Sequence, residues 1–317
     1  MQIWIPATPL AGNTRRTLTV ASFALPLLLW CAVSYVPALW HPYVDVTEPG
    51  SVSYFQPGML IEADQFEQEV QNATAAGTAL PQGEPANPIY LPAPHEVARA
   101  LYTAFTTEPQ RRNERWLHEN LWHSITIIFW GFLYSCLLGI PLGVLCGAYT
   151  AVSRMNEPFI EFVRYFPAPA FGALAVAVLG IHDAPKVAII FIGTFFQMVL
   201  VIANTTRKLD MRYLEAAMTL GASKIRLLFR VVVPGILPDL YRDLRILLGW
   251  AWTYLIVAEL IGASSGITWF ITQQARYKNF DNVFAAIIVI GLIGLLCDVL
   301  LGMAGKRLFP WHQASRA

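Results

Sequence analysis

The chain has 317 residues, of which 56% are hydrophobic and only 14% charged, against about 25% charged in an ordinary soluble domain. Its 22 Lys and Arg are balanced by 21 Asp and Glu, and the basic residues collect at the ends of apolar runs, which leaves no arm or stripe for a nucleic acid. The four cysteines, Cys31, Cys136, Cys146 and Cys297, sit inside apolar stretches with neither zinc-site spacing nor disulfide-scaffold density, and read as small core residues.

The first apolar run, about 18–39, follows Arg15 and Arg16. A signal peptide has a core of about 7–15 apolar residues. This run is longer and bulky at its end, with Trp30, Tyr35 and Trp40, so a transmembrane helix is expected and residues 1–40 form a first segment. Residues 41–119 are polar, Pro-rich and acidic, with Glu62, Asp64, Glu67 and Glu69 close together, and make an extramembrane insertion. Within it a short helix is expected at 63–73, extended or turned chain at 81–94 because of its prolines, and a helical segment from Pro94 through Val97, Leu101 and Phe105 lying against the membrane surface.

Apolar runs recur at about 121–148, 168–181, 187–203, 244–261 and 283–304. With the first they make six, the number that a chain of this length accommodates at roughly 20 residues per crossing. The run at 168–181 is short and opens on Pro167 and Pro169; a broken helix is tolerated in a membrane where neighbours or a cavity satisfy its backbone. The expectation is an all-α integral membrane protein with six transmembrane helices, a periplasmic insertion between the first and second, a core over 120–308 and a tail at 309–317. Arg15, Arg16, Arg154, the basic set from Arg207 to Arg230, Lys306 and Arg307 all fall on one side, which the positive-inside rule makes cytoplasmic, together with both termini. Arg111, Arg112 and Arg115 fall on the other side, in a long insertion where that rule is weak.

The segment 209–238 reads as two short helices between the fourth and fifth spans. Asp210 is a good N-cap for the first, whose Leu214, Ala217, Met218 and Gly221 recur at helical spacing; after Gly221-Ala222, Ser223 can cap a second with Ile225, Leu228, Phe229 and Val232 on one face. Glu215-Ala216-Ala217, then Gly221-Ala222, then Pro234 with Pro238 beyond it, resembles the EAA loop of ATP-binding cassette (ABC) importer permeases. Further along, Arg164, Pro167, Pro169, Gly180, Trp252, Glu259, Gly262, Ala263, Gly266, the stretch from Ile290 to Asp298 and Pro310-Trp311 are similar to permeases of the nitrate, sulfonate, taurine and bicarbonate importer group, over about residues 90–311. The insertion at 41–89 is longer than expected of that group.

The resemblance implies a type I ABC importer permease fold in a bacterial inner membrane. It implies no enzyme activity and no cofactor in this chain, with ATP and Mg bound by a separate ATPase. Glu215, Ala216, Ala217, Gly221, Ala222 and Pro234 would couple the chain to that ATPase. A second permease copy, two cytoplasmic ATPase subunits and a periplasmic solute-binding protein would complete the assembly in the lipid bilayer, importing a small anion such as nitrate, sulfonate, taurine or bicarbonate. Consistently, no G-x-x-x-x-G-K-[ST] phosphate loop, G-x-S-x-G or H-E-x-x-H occurs in the sequence, and each of those motifs marks a catalytic machinery.

Polar groups inside apolar spans need a partner or a role, which singles out candidates for the translocation path. Glu259 reads either as a gating carboxylate or as a helix cap, or partner of Arg276 or Lys278, at the outer end of its span. Arg164 reads as an anion-neutralising group or as an arginine reaching the headgroups. Gln197, Trp250, Trp252 and Tyr254 read as cavity lining or as helix packing. His182-Asp183 falls in a short outer loop and reads as solvated. Two rival readings are a secondary transporter working without an ATPase, which typically carries internal repeats of which none is evident here, and a membrane enzyme or assembly scaffold, which predicts no ATPase partner.

Overall fold

A computed structural model describes residues 12–36, 39–109, 115–261 and 265–311. The chain forms two compact units, one within Met1–Thr107 and Gln274–Ala285, the other within Glu108–Gln273 and Ala286–Ala317.

The first unit contains α1 (Gly12–Tyr35), three strands, α2 (Ala63–Ala76) and α3 (Pro94–Thr106). Most of α1 is bare, with Val20, Phe23, Leu25, Leu28 and Leu29 each more than 60% exposed, as suits a span whose solvent is lipid. Its last turn is tied down: the Trp30 indole donates to the Pro92 carbonyl at 3.1 Å and the Tyr35 hydroxyl bonds His95 at 2.6 Å. β1 (Tyr43–Glu48) is the central strand, antiparallel to β2 (Leu60–Glu62) on one side and β3 (Gln82–Ala86) on the other. Val46, Val52, Phe55 and Ile61 are buried under the sheet, with Phe66 of α2 stacked on Phe55 at 5.8 Å. The insertion therefore has a small core of its own. The helix expected at 63–73 runs on to Ala76, where Gly77 ends it at φ +65°, and the extended chain expected from Pro81 supplies β3. The sheet itself is an addition to the sequence reading.

The second unit holds the remaining spans, except the first residues of the last, which belong to the first unit. α4 (Leu117–Ala148) and α7 (Asp183–Arg207) are joined by a seam at four-residue spacing. Gly131, Gly139, Gly143 and Gly147 of α4 face Ile190, Met198, Ile202 and Thr206 of α7; a Cβ on Gly143 would lie 2.8 Å from Ile202 and one on Gly131 2.7 Å from Ile190. Between them Ser135 meets Thr194 at 2.6 Å, one hydroxyl donating across the seam while the other returns its proton to its own helix. Small residues let backbones approach closely in a bilayer, where dispersion and such hydrogen bonds replace the hydrophobic drive.

α5 (Thr150–Val163) and α6 (Gly172–Leu179), with a 3-10 turn at Ala168–Phe171 before α6, form the broken span, bent by 85°. Pro167 and Pro169 cause the break, since each disfavours helix at the residue before it. After α7 come α8 (Met211–Thr219), α9 (Lys224–Leu227), a π turn at Leu228–Val232 and α10 (Val233–Ile261). α11 (Ile267–Arg276) and α12 (Phe280–Leu308) close the chain. On α12, Asp298 is held by Arg245 of α10 through two guanidinium contacts at 2.8 and 2.9 Å, and the Leu301 carbonyl accepts from Tyr241 at 2.8 Å. Among the described residues five helices are long and apolar enough to cross a membrane, and the bent pair, taken as one span, brings the number to six, matching the expected runs.

The seam generates a test. Gly143→Val places methyl groups where Ile202 and the Val199 carbonyl already sit, and should cost about 1–3 kcal/mol or more, as overpacking does. Gly291→Ala meets nothing within 4 Å and should be neutral, or stabilising by up to about 1 kcal/mol because a helical glycine is replaced. Thermal unfolding of the detergent-solubilised protein checks both.

Candidate functional site

α8 forms because Asp210 caps it, the carboxylate accepting from the Arg212 N–H at 3.0 Å, and because Gly221 ends it at φ +77°. There the Gly221 and Ala222 N–H groups return to Met218 and Ala217 at 2.9 and 3.0 Å, a left-handed close that a β-branched residue would strain. No residue of α8 is buried. Glu215 and Ala216 are exposed and Ala217 half-buried, while Met211, Tyr213, Met218 and Leu220 stand out, Leu220 at 87% exposure. Capping is thus the work of Asp210, and Glu215 points outward in mid-helix.

The second helix differs from expectation. Ser223 stands at the N-cap of α9 without a side-chain cap bond, and the helix does not stop before the span. It runs from Lys224 to Ile261 as one 38-residue rod, so that the segment 209–238 overlaps the fifth span. The cause lies at Pro234, which has no N–H for the Arg230 carbonyl and whose ring crowds it. The π turn just before it, closed by the Val233 N–H on Leu228, takes up that misfit without breaking the helix. The extra residue also splits the expected apolar face: Leu228, Val232, Ile236 and Leu240 are buried, whereas Ile225 and Phe229 are 71% and 66% exposed.

Glu259 is fully buried and caps α11. One carboxylate oxygen accepts from the Thr268 N–H at 2.8 Å and the other from the Ser124 hydroxyl. The Ser124 oxygen accepts in turn from the Ile267 N–H at 2.9 Å, and the Asn120 amide oxygen from the Gly266 N–H at 3.2 Å. Three successive N–H groups at the start of α11 are thereby satisfied by side chains of α4 and α10 in a place no water reaches, which the macrodipole reinforces. Gly266, at φ +107°, has the carboxylate lying where a Cβ would be. Neither Arg276 nor Lys278 is the partner. Gly262 and Ala263 lie outside the described residues.

Next to this cap is a second polar cluster that the sequence reading missed. Lys186, 1% exposed, donates to Asp183 at 3.0 Å and to Ser265 at 3.3 Å, and His123 bonds both Asp183 at 3.1 Å and Ser265 at 2.9 Å. Asp183, at the first residue of α7 and with its side chain still half exposed, is therefore the counter-ion of a buried lysine. The i,i+3 spacing of Asp183 and Lys186, with the lysine entering an apolar run, was the available signal.

The other candidates are dispersed. Arg164 is exposed at the α5–α6 bend, bonded to the Tyr165 hydroxyl at 3.0 Å. Tyr254 packs its ring over Gly193 of α7, at 2.8 Å from where a Cβ would stand, which makes it a packing group. Gln197 and Trp252 are half-buried and Trp250 is 45% exposed.

The cap generates a prediction. Glu259→Ala orphans the Thr268 N–H and strands the Ser124 hydroxyl, at about 1–3 kcal/mol for each buried group, and should speed amide exchange over 266–270 by about tenfold or more. Glu259→Gln, which keeps an acceptor for Thr268 and can donate to Ser124, should show a smaller effect. Hydrogen-exchange mass spectrometry of the two variants decides.

Residues 139–310 match the model of a family described as binding-protein-dependent transport system inner membrane component. A probable ABC transporter permease of Brucella abortus (strain 2308) is 34% identical over 61% of this chain and 78% of its own length. The taurine transport system permease protein TauC of Escherichia coli (strain K12) is 32% identical over 71% of this chain and 82% of its own. The nitrate import permease protein NrtB of Leptolyngbya laminosa is 26% identical over 58% and 66%. In fold, the chain is similar to a chain of the MetNI methionine ABC transporter in an inward-facing conformation, at a TM-score of 0.53, 18% identity and coverage of 63% of this chain and 97% of that one. The chain belongs to the family of binding-protein-dependent transport system inner membrane components and is a multi-pass membrane permease subunit of an ABC importer.

Proposed function

We propose that this permease pairs with a second copy of itself, docks a separate ATPase on α8, and passes a small anion delivered by a solute-binding protein. The observation that carries the reading is α8 itself. It is capped at both ends, and so folds firmly, yet buries none of its residues. A rigid helix with Met211, Tyr213, Met218 and Leu220 exposed, and with Arg212 and Glu215 among them, suits a protein groove better than lipid. ATP and Mg belong to that partner. The basic residues that gather at this end, Arg207, Lys208, Arg212, Lys224, Arg226 and Arg230, support a cytoplasmic location for it and for both termini.

The second copy is supported by α10. Ile246, Trp250 and Leu260 are exposed with Gly249 and Thr253 among them, a stripe whose small and polar members favour a helix–helix contact. A path at that seam would carry Trp250, Trp252 and Gln197 near it, with Arg164 as the charged group of the broken third span, while Glu259, buried in the α11 cap, would hold the fifth span's end in place. A sulfonate, taurine or nitrate is the favoured class of solute, from the relatives that transport taurine and nitrate.

The test is co-purification from gently solubilised membranes, comparing wild type with Gly221→Val and Leu220→Asp. An ATP-hydrolysing subunit should accompany the wild type, and its retention should fall about tenfold or more in each variant, the effect of removing an anchoring contact. Recovery of no ATPase with the wild type under several mild detergents would overturn the coupling assignment.

A further inference from the structure

The insertion unit contains a cavity of about 960 Å³ bounded by the end of α1, β1, β3, the turn leading into α3, and the start of α12. Among the described residues five buried side-chain polar atoms have no partner, and four of them, Ser34 Oγ, His41 Nδ1, Asp45 Oδ1 and Asn87 Oδ1, belong to residues lining this cavity. Ser34 is 5% exposed. Natural proteins rarely leave such groups unpaired, and a cluster of them in one place calls for an explanation.

The donor and acceptor balance identifies what would satisfy them. His41 Nε2 and Asn87 Nδ2 both contact the Ser34 carbonyl, at 3.3 and 3.1 Å. A carbonyl only accepts, so Nε2 carries the proton, which leaves Nδ1 as an acceptor whenever the ring is neutral; the Asn87 amide oxygen and the Asp45 carboxylate oxygen are acceptors too. One carbonyl thus gathers His41 and Asn87 together, and the antiparallel register sets Asp45 opposite Glu84, three residues before Asn87 on the same stretch of chain. Three orphan acceptors therefore belong to residues lining one cavity, with a single hydroxyl as the fourth group. The charges agree: Asp45, Glu84, Glu96 and Asp281 line the cavity against Arg99 and Lys278, although Glu96 also caps α3 through the Ala93 N–H at 2.7 Å. Among the described residues no group of three His, Cys, Asp or Glu is placed to hold a metal ion.

We propose that this cavity binds a primary ammonium group, its N–H bonds directed to Asp45, Asn87 and His41. An –NH₃⁺ group offers three donors and no acceptor, and charge-assisted bonds to a carboxylate are the strong ones. Two sources present that chemistry: a small soluble amine, or an ethanolamine lipid headgroup, since Ser34 and Tyr35 are the last turn of a lipid-facing helix. The site is independent of the transport assignment and its test reads no uptake.

The experiment is calorimetric titration of the full-length protein, delipidated in neutral detergent, with ethanolamine and, at equal ionic strength, choline, which has no N–H. Ethanolamine should bind and choline bind at least about tenfold more weakly. Asp45→Asn should weaken ethanolamine by about tenfold or more, the loss of one charge-assisted bond, and Glu84→Gln, at an exposed strand position, by a smaller factor. Circular dichroism and gel filtration establish that Asp45→Asn is folded; if it is not, Glu84→Gln together with the two-ligand comparison decides. Nanodiscs separate the sources. Retention of phosphatidylethanolamine over phosphatidylcholine by the wild type and not by the variant, seen by native mass spectrometry, assigns the lipid; binding of free ethanolamine in pure phosphatidylcholine discs without such retention assigns the solute. Equal binding of ethanolamine and choline, or wild-type binding by both variants, overturns the proposal.

Discussion

The close approach of α4 and α7 is the constraint on which the rest of the membrane core depends. In lipid there is no gain from removing one apolar side chain from the neighbourhood of another, so helices associate through dispersion at short range and through shared hydrogen bonds. The glycines of α4 provide the first, by letting Ile190, Met198 and Ile202 sit against bare backbone, and the Ser135–Thr194 contact provides the second. Once α7 is fixed in this way, Gly193 offers Tyr254 of α10 a flat seat, and α10 in turn holds α12 through Arg245 and Tyr241.

Polar groups complete the core by satisfying one another. Asn120 and Ser124 lie one helical turn apart on α4, so both reach the first turn of α11, and Glu259 reaches it from α10. The Lys186 cluster abuts this cap through Ser265, the residue before Gly266. A buried ammonium and a buried carboxylate in adjoining networks are a costly pair to separate in a low-dielectric surrounding. Their reward is a unique arrangement of three helix ends, which hydrophobic contacts alone, being non-directional, would not specify.

How much of this could be read from the sequence follows from length scale. Five spans were legible because each is a run of roughly 20 apolar residues; the third was a shorter run, and its break was legible in Pro167 and Pro169. α8 was legible through Asp210 and Gly221, a cap and a stop at fixed offsets. The strands of the insertion were not: β2 has three residues, β3 contains Pro85, and a pattern so short carries no usable alternation. The partners of Glu259 were hidden for another reason. Ser124 is 135 residues away along the chain, and no local pattern announces a contact of that range. The π turn was invisible because Pro234 announces only that a regular helix cannot pass, leaving open whether the chain stops or widens.

That widening has a mechanical consequence. A helix of 38 residues is about 57 Å long at about 1.5 Å per residue, with the exposed α8 segment beside one end and the Glu259 cap at the other. A tilt of about 5° applied at one end would displace the far end of such a rod by about 5 Å, provided the rod is stiff. Along that rod the hydrogen-bond ladder changes step at Leu228–Val232, where the π turn widens the helix just before Pro234. One continuous helix thus joins the exposed α8 segment to the buried Glu259 cap, and the widened turn is what lets it pass Pro234 without a break.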